Sequence, residues 1–309
     1  MGKTALLFAG QGAQFVGMGR DLAEAFPAAR EVFETADRVL DLPISKLCFD
    51  GPVDKLNSTE NAQPAVLAVG LACLRALEER SCLPDAVATA GLSLGEYGAH
   101  VAAGSFAAEE ALALVRRRGE LMQAASEANP GGMACVLGMA REDVEAACRD
   151  AADAGVVAVA NLNSPGQVVI SGEHDAVARA GEIAKTAGAK RVIPLKVSGA
   201  FHTPLMQTAA DGLAEALAKV DIRPARIPVV ANATAAEVRG PDEIKRTLLD
   251  QLTGPVLFED SIRRLAADGV TRFVELGPGK VLAGLVKRIA REAETVSLGT
   301  AEALAAFEG

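Results

Sequence analysis

Residues 84–105 read PDAVATAGLSLGEYGAHVAAGS. A short apolar strand runs without a spacer into Gly91-Leu92-Ser93-Leu94-Gly95, and a helix opens directly after it. A chain that passes from strand to helix in so few residues must lay the helix back along the sheet. That is the start of a βα unit, and it points to parallel strands. The two glycines supply the backbone freedom the turn needs. The serine between them is presented at the end of the sheet, beside a helix N-terminus whose dipole favours negative charge. Ser93 is therefore a candidate nucleophile, and the backbone N–H of Leu94 a candidate donor to an oxyanion formed there. The alternative for Ser93 is a helix N-cap between two packing glycines.

The rest of the chain repeats the alternation of strand and helix. TALLFAG (4–10) reads as a buried strand, 21–40 as a helix interrupted near Pro27, 50–63 as a polar loop, and 63–80 as a helix apolar on most sides. A long amphipathic helix over 108–127 ends at NPGG (129–132), a boundary signal. Strand 133–139, helix 141–155, strands 156–163 and 167–172, helix 173–188 and strand 190–197 then follow. That order, β-α-β-β-α-β, is a ferredoxin-like split unit. Helix 204–220, strands at 227–234 and 272–279, and a closing helix at 281–291 resume the first pattern. The expected fold class is α/β: a large α/β-hydrolase-like domain with a parallel sheet, formed by 1–128 and 198–309, and a small ferredoxin-like insertion over 129–197.

Composition narrows what such a chain can do. The formal net charge of −9 opposes nucleic acid or an anionic membrane surface as a partner. No apolar run reaches the ~20 residues a membrane span needs. The stretch Ala5–Ala9 is too short for a signal-peptide core, and position 6 lacks the Ser or Thr of a myristoylation signal. Five cysteines without a C-x-x-C pair argue against a disulfide framework or a zinc site and suit the cytoplasm. Three basic clusters stand out: Arg116–Arg118, then Lys185, Lys190, Arg191 and Lys196, then Lys287, Arg288 and Arg291. They are solvated helix faces or a docking surface for an acidic partner.

A serine nucleophile needs a base, and the chain has three histidines. His100 lies seven residues beyond Ser93 in the same helix, about 10 Å along its axis, and reads as a packing or pocket-lining residue. His174 sits between Glu173 and Asp175 and reads as solvated or capping. His202, in SGAFHTPLM after the insertion, is placed at a strand-to-helix turn, where α/β sheets carry site residues. Asp211 and Asp221 are conceivable acid partners for it; a backbone carbonyl could serve equally. FAGQGAQFVGMG (8–19) fails as a dinucleotide fingerprint because Phe15 stands where the third glycine belongs. Gln11 within it could donate to an oxyanion or brace the turn.

Seven stretches, taken in order, carry a resemblance: FAGQGAQFVGMG, GLSLGEY, RRRGELMQ, NLNSPGQVVISG, VSGAFHTPLM, QLTGPVLFEDSI and ELGPGKVLAGLVKRI. Together they make the chain similar, over nearly its whole length, to the malonyl-CoA:acyl carrier protein transacylases. The resemblance implies Ser93 as acyl acceptor, His202 as its base, and Gln11 with the Leu94 N–H as oxyanion hole. It implies the backbone carbonyl of Gln251 as the acceptor that orients His202, and Arg118 as the clamp for the malonyl carboxylate. Phe201 resembles the malonyl-selective form of its position, where a ring would crowd an α-methyl branch. Leu92 stands where many members have His, and Ala9 where Pro is common. A leucine at the elbow is similar to acyltransferases that serve polyketide assembly in trans, so both fatty acid and polyketide pathways stay open. The resemblance further implies malonyl-CoA as substrate, acyl carrier protein as partner, no metal or redox cofactor, and ping-pong transfer; a monomer is expected. The competing readings are an acyl hydrolase of the same fold and a non-catalytic carrier-docking scaffold.

Overall fold

The computed structural model describes residues 2–197 and 199–309. Strand β1 (Lys3–Phe8) leads through the short α1 (Arg20–Ala25), α2 (Pro27–Leu40), α3 (Ile44–Asp50) and α4 (Val53–Asn57) to α5 (Thr59–Glu79). The segment expected as a loop at 50–63 is therefore mostly helical, and α5 begins at Thr59 rather than 63. Pro64 lies inside it, where its missing N–H would leave the Glu60 carbonyl unpaired. Arg116 Nη1 takes that carbonyl at 3.0 Å, so the polar run before the proline is still able to wind.

Strand β2 (Ala86–Gly91), α6 (Gly95–Ala102) and α7 (Ala108–Ala128) complete the first half. α5 is buried nearly all round, as its lack of a polar stripe requires, and packs against α7. Gly119 permits that approach: a Cβ there would lie 2.8 Å from Glu60 Cα.

The second sheet follows: β3 (Gly132–Leu137), α8 (Arg141–Asp150), β4 (Val157–Ser164), β5 (Gln167–Gly172), α9 (His174–Thr186) and β6 (Arg191–Pro194). Its order is β4-β5-β3-β6, all antiparallel, with α8 and α9 sharing one apolar core with it. β6 is shorter than expected and stops at Pro194. His202 consequently follows a connecting stretch rather than a strand end. The expected return point at 198 lies outside the described residues.

The chain continues through a 3₁₀ turn (Pro204–Met206) into α10 (Gln207–Leu217), β7 (Val229–Val230), β8 (Glu237–Val238), α11 (Pro241–Thr253), α12 (Phe258–Ala267), β9 (Val270–Leu276), α13 (Val281–Ile289), β10 (Glu294–Leu298) and α14 (Ala301–Ala305). The strand expected over 227–234 shrinks to two residues because the chain folds back at once: Ala231 donates its N–H to Ala236 O. β10 and α14 extend the chain past the helix expected to close it. The large sheet has the order β10-β9-β1-β2-β7-β8 and is parallel except for the β7–β8 pair. The expected α/β class, parallel sheet with a separate antiparallel one, is the class found.

The two sheets are coupled. The Leu162 N–H donates to Val256 O and the Val256 N–H to Ala160 O, while Met133, Cys135 and Val169 share the large core. Among the described residues, no helix is long and apolar enough to cross a membrane, no group of side chains is arranged to hold a metal, and all five cysteines are free.

Candidate active site

β1 and β2 are neighbours in the parallel sheet, so the turns at their C-terminal ends meet. The elbow packs against the first turn with no room to spare. A Cβ at Gly95 would sit 2.1 Å from Phe8 O, and one at Gly91 would sit 2.1 Å from the Gly95 carbonyl carbon. Ser93 itself is forced to φ 54°, a left-handed conformation that costs a non-glycine residue of order 1–3 kcal/mol. Asn232, two residues beyond β7, holds it there. Its Oδ1 accepts the Ser93 N–H at 2.7 Å, and its Nδ2 donates to Gly91 O at 2.7 Å. With the Ser93 N–H so engaged, the next one along the turn, that of Leu94, donates to no acceptor among the described residues and is left for an incoming oxygen.

Ser93 Oγ lies 2.9 Å from His202 Nε2, and His202 Nδ1 lies 2.7 Å from Gln251 O. A carbonyl only accepts, so Nδ1 carries the proton and Nε2 is the basic nitrogen facing the serine. His202 also occupies a left-handed conformation, φ 60°, fixed by Thr203: its hydroxyl donates to Ala200 O and accepts from the Leu205 N–H. Burial, and then the Arg118 cation, lower the imidazole to about 4 against a weaker opposing pull from the Gln251 carbonyl. His202 is therefore neutral at physiological pH. Neither aspartate expected as a possible partner is used: Asp211 accepts from Gln207, and Asp221 pairs with Arg223.

Arg118 projects from α7 into the same centre and is 1% exposed. Its Nη2 donates to Ser93 Oγ and to Gln251 Oε1, each at 2.9 Å, and its Nη1 donates to Gln63 Oε1. The guanidinium lies over the Tyr97 ring, 5.8 Å from the centroid. Burial pulls its pKa down. A cavity of about 540 Å³ opens onto the serine and histidine; Gln11, Leu92, Met133, Phe201 and Lys196 help line it. The Gln11 side chain donates to Thr59 Oγ1 at 3.4 Å. Leu92 and Phe201 face the cavity as apolar walls. His100 does not reach it; the ring is fully buried, edge-on to Phe106. His174 is exposed at the start of α9.

The acyl transferase domain family matches residues 5–303. This chain belongs to that family. A malonyl CoA-acyl carrier protein transacylase of Bacillus subtilis is 47% identical over 305 residues, 98% of this chain and 96% of that protein. The Escherichia coli K12 protein of the same name is 42% identical over 306 residues, 99% of each chain. Among solved structures, an acyl carrier protein S-malonyltransferase from Vibrio cholerae superposes with a TM-score of 0.95 at 44% identity, covering 98% of this chain and 99% of that one. A malonyl-transacylase in complex with a type II polyketide acyl-carrier protein superposes with a TM-score of 0.96 at 39% identity, covering 99% of both chains.

The acyltransferase site contains polar residues that sequence reasoning passed over. Gln63 and Asn232 are fully buried and serve Arg118 and Ser93 respectively. Gln251 contributes its side chain as well as its carbonyl. Of the basic clusters, the first is not a free surface. Arg116 is paired with Glu120 at 2.7 Å and Glu60 at 3.7 Å, Arg117 lies 3.6 Å from Glu120, and Arg118 is interior. Lys190, Arg191 and Lys196 are exposed, on and beside the edge strand β6, and Lys196 lines the cavity.

Proposed function

We propose that this acyltransferase moves the malonyl group of malonyl-CoA to the phosphopantetheine thiol of an acyl carrier protein through a malonyl-Ser93 intermediate. The observation that carries the reading is a buried guanidinium donating to the nucleophile's own oxygen. A carboxylate attached two bonds from an acyl carbon on that oxygen would come to rest against Arg118, whereas an unpaired anion there would be strongly disfavoured.

His202 Nε2 takes the proton as Ser93 Oγ bonds the thioester carbonyl carbon. The Leu94 N–H and Gln11 support the resulting oxyanion. Collapse breaks the carbon–sulfur bond, and the coenzyme thiolate leaves with the proton from Nε2. The carrier thiol then gives its proton to His202 Nε2 and bonds the acyl carbon of malonyl-Ser93; the ester carbon–oxygen bond breaks, and Ser93 Oγ takes the proton back from Nε2. These steps use protein groups and two thioesters, with no metal or redox cofactor. Phe201 narrows the cavity against α-branched acyl groups. The exposed Lys190, Arg191 and Lys196 form the docking edge for an acidic carrier. Residues 129–197, which carry that edge, form the inserted unit, and the enzyme works as a cytoplasmic monomer.

Incubation with malonyl-CoA, followed by intact mass measurement, should show one malonyl adduct on Ser93 that disappears on adding holo carrier protein. Release of free malonate instead would favour an acyl hydrolase of this fold, and no adduct at all would overturn the reading.

A further inference from the structure

Both terminal nitrogens of Arg118 meet neutral acceptors: Gln63 Oε1, Gln251 Oε1 and Ser93 Oγ. A buried guanidinium in such company calls for an anion. Glu96, in the first turn of α6, is also fully buried. Its Oε2 accepts the Gln251 Nε2–H at 2.7 Å and the Asn232 N–H at 3.0 Å. Its Oε1 faces His100 Nε2 at 3.8 Å and takes no hydrogen bond among the described residues.

The Gln251 amide thus joins carboxylate to guanidinium. Three acceptors surround its nitrogen: Glu96 Oε2, Ser93 O at 3.1 Å and Asn232 Oδ1 at 3.4 Å. That leaves its oxygen for Arg118 and dictates which way the amide points. The field of Glu96 reaches Arg118 and favours the guanidinium cation. The other acidic group beside it, the Tyr97 phenol, is pushed far up by burial and remains neutral.

We infer that Glu96 is a positioning residue that supplies the resident counter-charge of Arg118 and thereby sets how strongly the site prefers a carboxylated acyl group. The inference rests on the malonyl-transfer reading above. A guanidinium with no resident anion would grip the malonyl carboxylate in the ground state and slow its passage to the carrier. With Glu96 behind Gln251, Arg118 is held in place before substrate arrives and exchanges a distant anion for a near one.

The test is the ratio of kcat/KM for malonyl-CoA over acetyl-CoA, read as Ser93 loading by intact mass. Glu96→Gln keeps the shape and an acceptor for Gln251 while removing the charge. It should lower KM for malonyl-CoA and raise the ratio by about fivefold or more. In an Arg118→Ala background the same change should leave the ratio as it is. A merely structural role would depress loading by both thioesters alike, and an unchanged ratio in the Arg118 enzyme would overturn the proposal. If Glu96→Gln fails to fold, Glu96→Asp carries the test: drawing the carboxylate back by one methylene should raise the ratio by a smaller factor, and a slower enzyme with the wild-type ratio refutes the inference. Failure of the unmodified enzyme to load malonyl would instead count against the functional reading.

Discussion

Replacing Arg118 by lysine keeps the positive charge and removes the fork, which makes it the sharpest probe of the site. The native guanidinium reaches in two directions: Nη1 to Gln63, and Nη2 to Gln251 and Ser93 Oγ at 2.9 Å each. A single ammonium cannot stand in both places. With malonyl present, lysine must give up one charge-assisted bond, either to the substrate carboxylate or to the glutamine that steadies it. Such a bond is worth about 1.5–3 kcal/mol, so Arg118→Lys should slow malonyl loading of Ser93 about 10- to 150-fold. Acetyl loading, which makes no carboxylate contact, should change by less than about threefold. Single-turnover acylation followed by rapid quench and intact mass measures both rates on one protein preparation. If the lysine enzyme loads malonyl within threefold of the parent, or loses both activities in parallel, the two-pronged clamp is not what the site uses.

Other residues give further tests. The folded His202 imidazole titrates near 4 while an unfolded one titrates at about 6.5, so the unfolded chain binds the extra proton between those values. Stability contributed by neutral His202 is whole above pH 6.5 and lost as pH falls to 4, about 3 kcal/mol in all; urea unfolding across that range should show it, and His202→Gln should flatten the curve. Acylation should likewise hold level above pH 5.5 and fall only near 4; a midpoint at 6.5 would contradict a buried, neutral base. Asn232→Ala strands the Ser93 N–H and Gly91 O, and should cost about 2–4 kcal/mol in denaturant unfolding and at least tenfold in acylation. Gly95→Ala drives a methyl into Phe8 O, with an expected loss of at least about 3 kcal/mol; a mutant as stable as the parent would mean the elbow is not pinned to β1. Charge reversal at Lys190 and Arg191 should raise KM for the carrier protein and leave malonyl loading untouched, and an unchanged KM would remove β6 from the docking edge.

What the sequence made legible follows from the distance over which each feature is encoded. The elbow is local: strand, glycines, serine and helix lie within 22 residues, although Asn232 and the first turn at Phe8 also hold it in place. Ser93 and the Leu94 N–H could therefore be read from the residues alone. The β-α-β-β-α-β order was legible because each element carries its own local pattern, even though β4 and β5 are the only consecutive strands that pair in it. Arg118 was not: an arginine following two others on a helix looks like a solvated face, and only the resemblance to a family marked it. Its interior position depends on Gly119 letting α7 press onto α5, which no periodicity announces.

The remaining site residues are joined across long stretches of chain. Ser93 meets His202 over 109 positions, Asn232 over 139 and Gln251 over 158. His202 stands in a turn after a connecting stretch, and its motif drew attention to it; Asn232 lies just past β7 and Gln251 in the last turn of α11, where sequence shows nothing unusual. In the fold one orientation of the Gln251 side-chain amide serves the serine carbonyl, the glutamate and the arginine together, while the residue's backbone carbonyl holds the histidine. Changes at Glu96, Gln63 or Asn232 should therefore couple to changes at Arg118 and Ser93 rather than add to them. That coupling is the property by which residues silent in the sequence become part of the chemistry.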